Sequence, residues 1–149
     1  METKNIIIVG VGGQGTLLAS KLMGRVFMDE GYDVKVSEVH GMSQRGGSVV
    51  TYVRYGDSVA SAVVDKGEAD MIISFEKLES ARWLPYLKKD GVLITNEQEI
   101  DPMTVIMGKA VYPEGILETL REMGVKTVSV PASQLAEEAG NVRAANLVL

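Results

Sequence analysis

The opening segment of the chain constrains its fold more than any other feature. Residues 5–9 form a short apolar run rich in β-branched side chains, residues 10–15 read Gly-Val-Gly-Gly-Gln-Gly, and residues 16–27 carry apolar side chains at helical spacing. This order predicts a buried strand, a glycine turn and the N-terminus of a helix. We therefore expect an α/β protein built from strand–helix–strand units.

The glycines of this turn predict a loop that faces a ligand. Gly10, Gly12 and Gly15 have the G-x-G-x-x-G spacing, in which the glycines allow a tight exit from the strand, close approach of a ligand, and packing of the helix on the strand. Amide groups at the helix N-terminus would face an anion. A tight β–α turn without a ligand is the alternative. The predicted cofactor-binding residues are Gly10, Gly12, Gly13, Gln14 and Gly15.

A second unusual stretch, residues 39–47, reads Val-His-Gly-Met-Ser-Gln-Arg-Gly-Gly. It follows a predicted strand at residues 33–38, and open α/β sheets bind ligands at the carboxyl ends of their strands. Its arginine can hold a carboxylate or phosphate, and its histidine can titrate near neutrality or donate a hydrogen bond. The alternative is a glycine-rich loop whose polar groups bond to nearby backbone. The candidate residues for contact with a ligand or subunit are His40, Met42, Ser43, Gln44, Arg45 and Gly46.

The remainder of the chain continues the alternation of strands and helices. Further strands are predicted at residues 48–55, 71–75, 92–95 and 125–130, and further helices at residues 76–87, 114–123 and from Ser133, which we expect to cap its helix. Residues 58–64 are predicted to pair with residues 48–55 as an antiparallel hairpin at the sheet edge. The strand–helix–strand unit at the start predicts two neighbouring parallel strands. The predicted fold is one three-layer, Rossmann-like α/β domain over residues 1–149, with a mostly parallel sheet.

Composition excludes several classes of site and partner. The 149 residues include no cysteine and one histidine, so this chain can form neither disulfides, nor cysteine-ligated zinc or iron–sulfur sites, nor a multi-histidine metal site. A formal net charge of −5 argues against nucleic acid as a partner. No apolar run approaches the ~20 residues that span a bilayer, and Glu2 and Lys4 do not fit a signal peptide. We expect a cytoplasmic protein with no membrane partner.

The two glycine-rich stretches together resemble a known family. Residues 10–15 and the segment from Glu38 to Gly47 are similar to the gamma-type domain of the 2-oxoacid:ferredoxin oxidoreductases, and most similar to its smaller, indolepyruvate-type subunits. The resemblance extends over nearly the whole chain, including Tyr112-Pro113 and residues 141–149. It departs at the end, because family members continue beyond this point, which implies a truncated or partly ordered copy.

The resemblance implies oxidative decarboxylation of an aryl 2-oxoacid, with coenzyme A as acyl acceptor and ferredoxin as electron acceptor. It implies that thiamine diphosphate, magnesium and iron–sulfur clusters lie on a larger catalytic, alpha-type subunit. This chain would then carry no catalytic residue and no metal. It would complete the active site and help to bind coenzyme A.

Two other functions stay open at this point. One is a stand-alone NAD(P)-binding domain, favoured by Glu38, which lies some twenty residues past the glycines, where an acidic residue would hold a ribose. The other is a purely structural interaction subunit whose two glycine-rich stretches serve as contact surfaces.

Overall fold

A computed structural model describes residues 1–40 and 47–149, without the side chain of His40. This part of the chain forms six strands and six α-helices, with one 3₁₀ turn after α2 and another before α6. The elements are β1 (Lys4–Val11), α1 (Thr16–Asp29), β2 (Asp33–His40), β3 (Ser48–Gly56), β4 (Ala69–Ser74), α2 (Lys77–Arg82), β5 (Leu87–Asn96), α3 (Met103–Ile106), α4 (Ile116–Glu122), β6 (Lys126–Val130), α5 (Ala132–Glu138) and α6 (Ala145–Val148).

The strands form one mixed sheet in the order β2-β3-β1-β4-β5-β6. β1, β4, β5 and β6 pair in parallel, whereas β3 is antiparallel to both of its neighbours, β2 and β1. The predicted α/β fold with a mostly parallel sheet and an antiparallel hairpin at its edge is confirmed. The prediction that β1 and β2 are neighbours is wrong, because β3 lies between them.

The edge hairpin is also made by a different pair of segments than the sequence pattern predicts. β3 pairs with β2, and residues 58–64 form no strand. Arg54 explains this, because its guanidinium donates to the carbonyls of Ser61 and Val63, at 2.9 Å each, and to Asn5 Oδ1 at 2.8 Å. These bonds hold the segment as a loop against the end of β3.

Helices cover both faces of the sheet and create two apolar cores. α1 packs over one face, and α6 contacts both α1 and α5. α2 and α4 pack over the opposite face through Leu78, Leu117 and Leu120. The side chains at the centre of the cores are almost fully buried: Ile7, Ile8, Val9, Val53, Ile72 and Leu93. The result is the predicted three-layer arrangement.

The helix predicted over residues 76–87 is shorter than its apolar pattern indicates. α2 ends at Arg82, a 3₁₀ turn covers Leu84–Tyr86, and β5 begins at Leu87. Pro85 lies within that turn and lacks the amide hydrogen that a continuing helix needs, so the chain leaves the helical path there. Across the residues that the structure describes, no helix is both long and apolar enough to cross a membrane.

Candidate functional site

The connections from β1 and β4 leave the sheet in opposite directions. From β1 the chain crosses through α1 on one face towards β2, and from β4 it crosses through α2 on the other face to β5. A crevice therefore opens between the carboxyl ends of β1 and β4. Open α/β sheets bind their ligands at such a reversal of strand order.

Pairing of β1 with β3 brings the two glycine-rich stretches of the sequence together. Gly10 faces Val49 and Val11 faces Ser48 in the antiparallel register. Beyond the last pair, the Gly12 amide donates to the Gly47 carbonyl at 2.9 Å. The glycine turn and the end of the second stretch are thus hydrogen-bonded neighbours, although Gly47 lies 35 positions after Gly12 in the sequence.

The central part of the second stretch lies outside the described residues. This applies to five candidate residues: Met42, Ser43, Gln44, Arg45 and Gly46. The backbone of His40 ends β2 opposite Val49. The described residues on either side of this central part, His40 and Gly47, therefore lie at the same end of the sheet as the glycine turn.

The structure shows what the lack of a side chain does at two glycines of the turn, Gly10 and Gly15. Gly10 lies inside β1, where a Cβ atom would come within 2.8 Å of Gln14 Oε1 and 3.2 Å of Phe75 Cβ. Gly15 is the N-cap of α1 with φ = 80°, in the left-handed region that favours glycine. A Cβ at Gly15 would meet Asn146, so Gly15 gives room to α6 rather than to a helix–strand contact.

Gln14 closes the turn and connects it to the neighbouring strand ends. Its Oε1 accepts from the Val11 amide at 2.7 Å. Its Nε2 donates to the Phe75 carbonyl at 3.0 Å and to Gln98 Oε1 at 3.2 Å. The side chain therefore fixes the turn against the residues that follow β4 and β5.

A polar cleft of about 310 Å³ opens beside the turn, on the α5–α6 side of the sheet. Its residues come from the turn, from the segments that follow β4, β5 and β6, and from the C-terminal helical region. The lining residues are Gly13, Gln14, Gly15, Phe75, Asn96, Gln98, Ser133, Val142, Arg143, Ala145 and Asn146. The sequence patterns missed the last eight, since each is a single residue at or beyond the end of a strand or in a short helical segment.

Side-chain amides organise the far wall of this cleft. Asn96 is buried, and its Nδ2 donates to Ser133 Oγ at 3.0 Å while its Oδ1 accepts from the Ala132 amide at 3.0 Å. Ser133 Oγ donates onward to Gln98 Oε1 at 3.3 Å. The expectation that Ser133 caps α5 is therefore wrong: Asn96, from the end of β5, accepts from the first amide of that helix instead.

The cleft is suited to binding rather than to bond-making chemistry. Among the described residues that line it, none is a carboxylate, imidazole, lysine or thiol, and the charged group is Arg143. Within the described part of the chain, the amides of Gly13 and Gly15 donate no hydrogen bond. An arginine and open backbone amides favour an anion or a polar ligand.

Glu38 lies on the other side of the glycine turn. It lines a smaller cleft of about 190 Å³ together with Gly12, Thr16 and Val49. In a dinucleotide-binding domain the strand that carries the ribose-binding acid is the direct neighbour of β1. Here β3 intervenes, so β2 stands one strand, about 4.8 Å, farther away than such a site requires.

Below the crevice, a buried carboxylate holds the start of α2. Glu76 is 1% exposed, and its carboxylate accepts from the amides of Leu78 at 2.9 Å and Glu79 at 3.1 Å and from the Tyr112 hydroxyl. Burial and the adjacent Glu76 carboxylate raise the pKa of Tyr112 well above its usual range. Tyr112 thereby attaches the irregular segment after β5 to the floor of the crevice.

The described residues contain no group of three or more histidine, cysteine, aspartate or glutamate side chains placed to hold a metal ion. The full sequence has no cysteine to ligate an iron–sulfur cluster. The donor set of this chain therefore does not fit the clusters that the family resemblance implies.

Comparison with known proteins assigns the fold and the family. Residues 5–149 match the family model described as pyruvate ferredoxin/flavodoxin oxidoreductase. The chain is 49% identical to indolepyruvate oxidoreductase subunit IorB of Pyrococcus horikoshii over 154 residues, which covers all of this chain and 75% of that protein.

Two solved structures share the fold at lower identity. One is a keto/oxoacid ferredoxin oxidoreductase gamma subunit from Geobacter sulfurreducens, with a TM-score of 0.71 at 21% identity over 99% of this chain and 71% of that one. The other is a 2-oxoglutarate:ferredoxin oxidoreductase from Magnetococcus marinus with 2-oxoglutarate, coenzyme A and succinyl-CoA bound, with a TM-score of 0.72 at 18% identity over 99% of this chain and 23% of that one. By the match along almost its whole length, the chain belongs to the pyruvate ferredoxin/flavodoxin oxidoreductase family.

Proposed function

We propose that this chain is the smaller, IorB-type subunit of an indolepyruvate oxidoreductase, a thiamine-dependent 2-oxoacid:ferredoxin oxidoreductase of the cytoplasm. The observation that carries the proposal is the 49% identity to an IorB subunit along the full length of this chain. The position of β3 between β1 and β2, the strand that carries Glu38, argues against the alternative of a stand-alone NAD(P)-binding domain.

In this proposal the chain carries none of the bond-making groups. The polar cleft has no acid–base side chain among its described lining residues, and the sequence has no thiolate to hold a cluster. Thiamine diphosphate, magnesium and iron–sulfur clusters therefore belong to a larger catalytic subunit, which passes electrons to ferredoxin. This chain completes the active site from the outside.

We propose that the glycine turn contributes to binding coenzyme A in the assembled enzyme. Open amides at Gly13 and Gly15 and the guanidinium of Arg143 suit a phosphate. A cleft of about 310 Å³ is at the lower end of the range for ligand pockets, roughly 300–1,000 Å³, so it suits part of coenzyme A rather than the whole molecule. The segment from His40 to Gly46 is proposed as the adjoining contact with ligand or partner.

Turnover measurements test the subunit role. The purified chain, given indolepyruvate, coenzyme A, thiamine diphosphate, magnesium and a viologen dye, is expected to reduce no dye under anaerobic conditions. Addition of the larger subunit with reconstituted clusters is expected to start turnover. Dye reduction by the single chain would contradict the proposal, as would unchanged activity of the larger subunit with and without this chain.

A charge placed on the turn tests coenzyme A binding. Gly13 has space for a side chain, because a Cβ there would have no neighbour within 4 Å, and asparagine and aspartate tolerate its positive φ of 97° better than other side chains do. In the complex, Gly13→Asp is expected to raise the KM for coenzyme A by about ten-fold through repulsion of its phosphates. Gly13→Asn is the neutral control of the same shape. Equal KM values in the two variants would contradict this placement of coenzyme A.

A further inference from the structure

A compact hydrogen-bonded cluster lies at the start of β3, beside the end of the second glycine-rich stretch. Ser48 Oγ donates to Glu79 Oε2 at 2.5 Å, and Trp83 Nε1 lies 3.3 Å from both Ser48 Oγ and Glu79 Oε2. Arg82 Nε donates to the other carboxylate oxygen, Glu79 Oε1, at 3.1 Å. Glu79 from α2 and Trp83 from its C-cap thus contact one serine from β3, and Arg82 holds the Glu79 carboxylate from its other oxygen.

The cluster is connected to the glycine turn by one peptide unit and one hydrogen bond. Ser48 follows Gly47 directly, and the Gly47 carbonyl accepts the Gly12 amide at 2.9 Å. Ser48 also pairs with Val11 across the β1–β3 ladder. Whatever fixes Ser48 therefore also fixes the position of Gly47 against Gly12.

The carboxylate in this cluster is not explained by packing. The Glu79 side chain is 5% exposed, and burying a carboxylate is costly unless donors surround it. An apolar side chain could fill this space without that cost. A carboxylate with three donors adds directional bonds, which restrict the position of Ser48 more tightly than apolar contact does.

We propose that Glu79 is a positioning residue, which acts through Ser48 to align Gly47, the last residue of the second glycine-rich stretch, with Gly12 of the glycine turn. Trp83 supports the same serine from the C-terminal end of α2. The functional value of this alignment rests on the subunit role proposed above, whereas the alignment itself is a property of the chain.

Amide hydrogen exchange of the full chain, followed by NMR, tests the alignment directly. Ser48→Ala removes the donor to Glu79, and Glu79→Gln keeps the size of the side chain but cannot accept from both Ser48 and Arg82. Both variants are expected to speed exchange of the Gly12 amide by roughly ten-fold, the effect of losing about one hydrogen bond. The amides of Ile72 and Leu93, in the centre of the sheet, are expected to keep their rates.

Two further variants complete the design. Ser48→Thr retains the hydroxyl and is expected to restore the slow exchange of Gly12. Ser129→Ala removes a strand serine that is bonded to Arg121 at 3.0 Å, far from the turn, and is expected to leave Gly12 unchanged. An unchanged Gly12 rate in Ser48→Ala and Glu79→Gln would overturn the proposal. Equal acceleration of Gly12, Ile72 and Leu93 would also overturn it, since that result indicates a general loss of stability.

The same variants in the assembled enzyme separate this inference from the proposed function. The exchange experiment needs no partner subunit, so it can succeed even if the chain has another role. If the chain does serve the proposed complex, Ser48→Ala is expected to lower kcat/KM while Ser48→Thr restores it. Normal kcat/KM in a Ser48→Ala complex whose Gly12 exchanges faster would contradict the functional value of the alignment.

Discussion

Gly15 connects the glycine turn, near the start of the chain, with α6, near its end. Its φ of 80° turns the backbone from the glycine turn into α1, and its carbonyl accepts from Asn146 Nδ2 at 3.3 Å. Asn146 comes from α6, and both residues line the polar cleft. The absence of a side chain at Gly15 is therefore needed for the backbone conformation and also for the contact with α6.

Replacing Gly15 with alanine is expected to lower the free energy of unfolding by about 2–3 kcal/mol. About 1–2 kcal/mol comes from placing a Cβ in the left-handed region, and about 1 kcal/mol from displacing the Asn146 amide, whose Nδ2 would lie 2.5 Å from the new atom. Urea denaturation measures both. Gly13→Ala, also at positive φ but in open space, should lose only the first contribution. Equal losses in the two variants would show that Asn146 does not matter.

The Tyr112–Glu76 hydrogen bond supports the floor of the crevice. Tyr112→Phe removes the hydroxyl from a buried carboxylate, which keeps two backbone donors, and is expected to cost about 1–3 kcal/mol of unfolding free energy. Tyr86→Phe is a suitable control, because the described residues include no hydrogen-bond partner for the Tyr86 hydroxyl. Denaturation midpoints that shift equally in both variants would contradict the role of this bond.

Tyr112 also predicts how stability responds to alkaline pH. Burial, followed by the Glu76 carboxylate, raises its pKa in the folded chain, so between the unfolded value of about 10 and the folded value only the unfolded chain releases this proton. The free energy of unfolding should therefore fall as the pH rises above about 10. The fall should be less steep in Tyr112→Phe, although burial also raises the pKa of Tyr52 and Tyr55. Parallel pH profiles would contradict the assignment.

Among the secondary-structure elements, β3 determines the geometry of the site. It enters between β1 and β2, pairs antiparallel with both, and places Gly47 against Gly12. Its other end is held through Arg54, which donates to Asn5 on β1 and to the loop at residues 58–64. β3 thus runs from the candidate site, at the carboxyl end of β1, to the opposite end of the sheet.

Removing the Arg54 guanidinium should release that loop. Arg54→Met keeps much of the aliphatic stem but loses three hydrogen bonds, with an expected cost of about 1–3 kcal/mol and faster proteolysis within residues 58–64. Arg25→Met removes an exposed pair with Asp29 and should change stability by no more than about 0.5 kcal/mol. Limited proteolysis and urea denaturation would show both effects. A loop equally resistant in wild type and Arg54→Met would contradict the account.

Most of the elements could be predicted from the sequence, but their pairing could not. The apolar run at residues 5–9 and the helical spacing after Thr16 predicted β1 and α1, because these patterns are local. The neighbours of β1 depend on long-range contacts, so local periodicity did not reveal that β3 separates it from β2. Arg54 keeps residues 58–64 out of the sheet by donating to two backbone carbonyls. A pattern of side-chain types does not show such bonds.

At the scale of the whole molecule, the site combines a predictable part with one that only the fold reveals. The glycine turn follows from its spacing, and its closeness to the second stretch follows from the β1–β3 pair. Asn96 is the last residue of β5, Gln98 and Ser133 are single polar residues after β5 and β6, and Asn146 lies some 130 residues from the turn. The sequence feature that could have identified Asn96, Gln98 and Ser133 is their position at or just after the carboxyl ends of parallel strands, where ligand sites occur.

The central claim is that this chain works as one subunit of a larger oxidoreductase. Anaerobic affinity purification of the tagged chain from its native cell extract, with mass spectrometry of the proteins that accompany it, tests this most directly. We predict recovery of a larger, cysteine-rich subunit that binds thiamine diphosphate, in a fixed ratio to this chain and with indolepyruvate-dependent dye reduction in the recovered fraction. Recovery of the chain alone, or only as an oligomer of itself, would contradict the account.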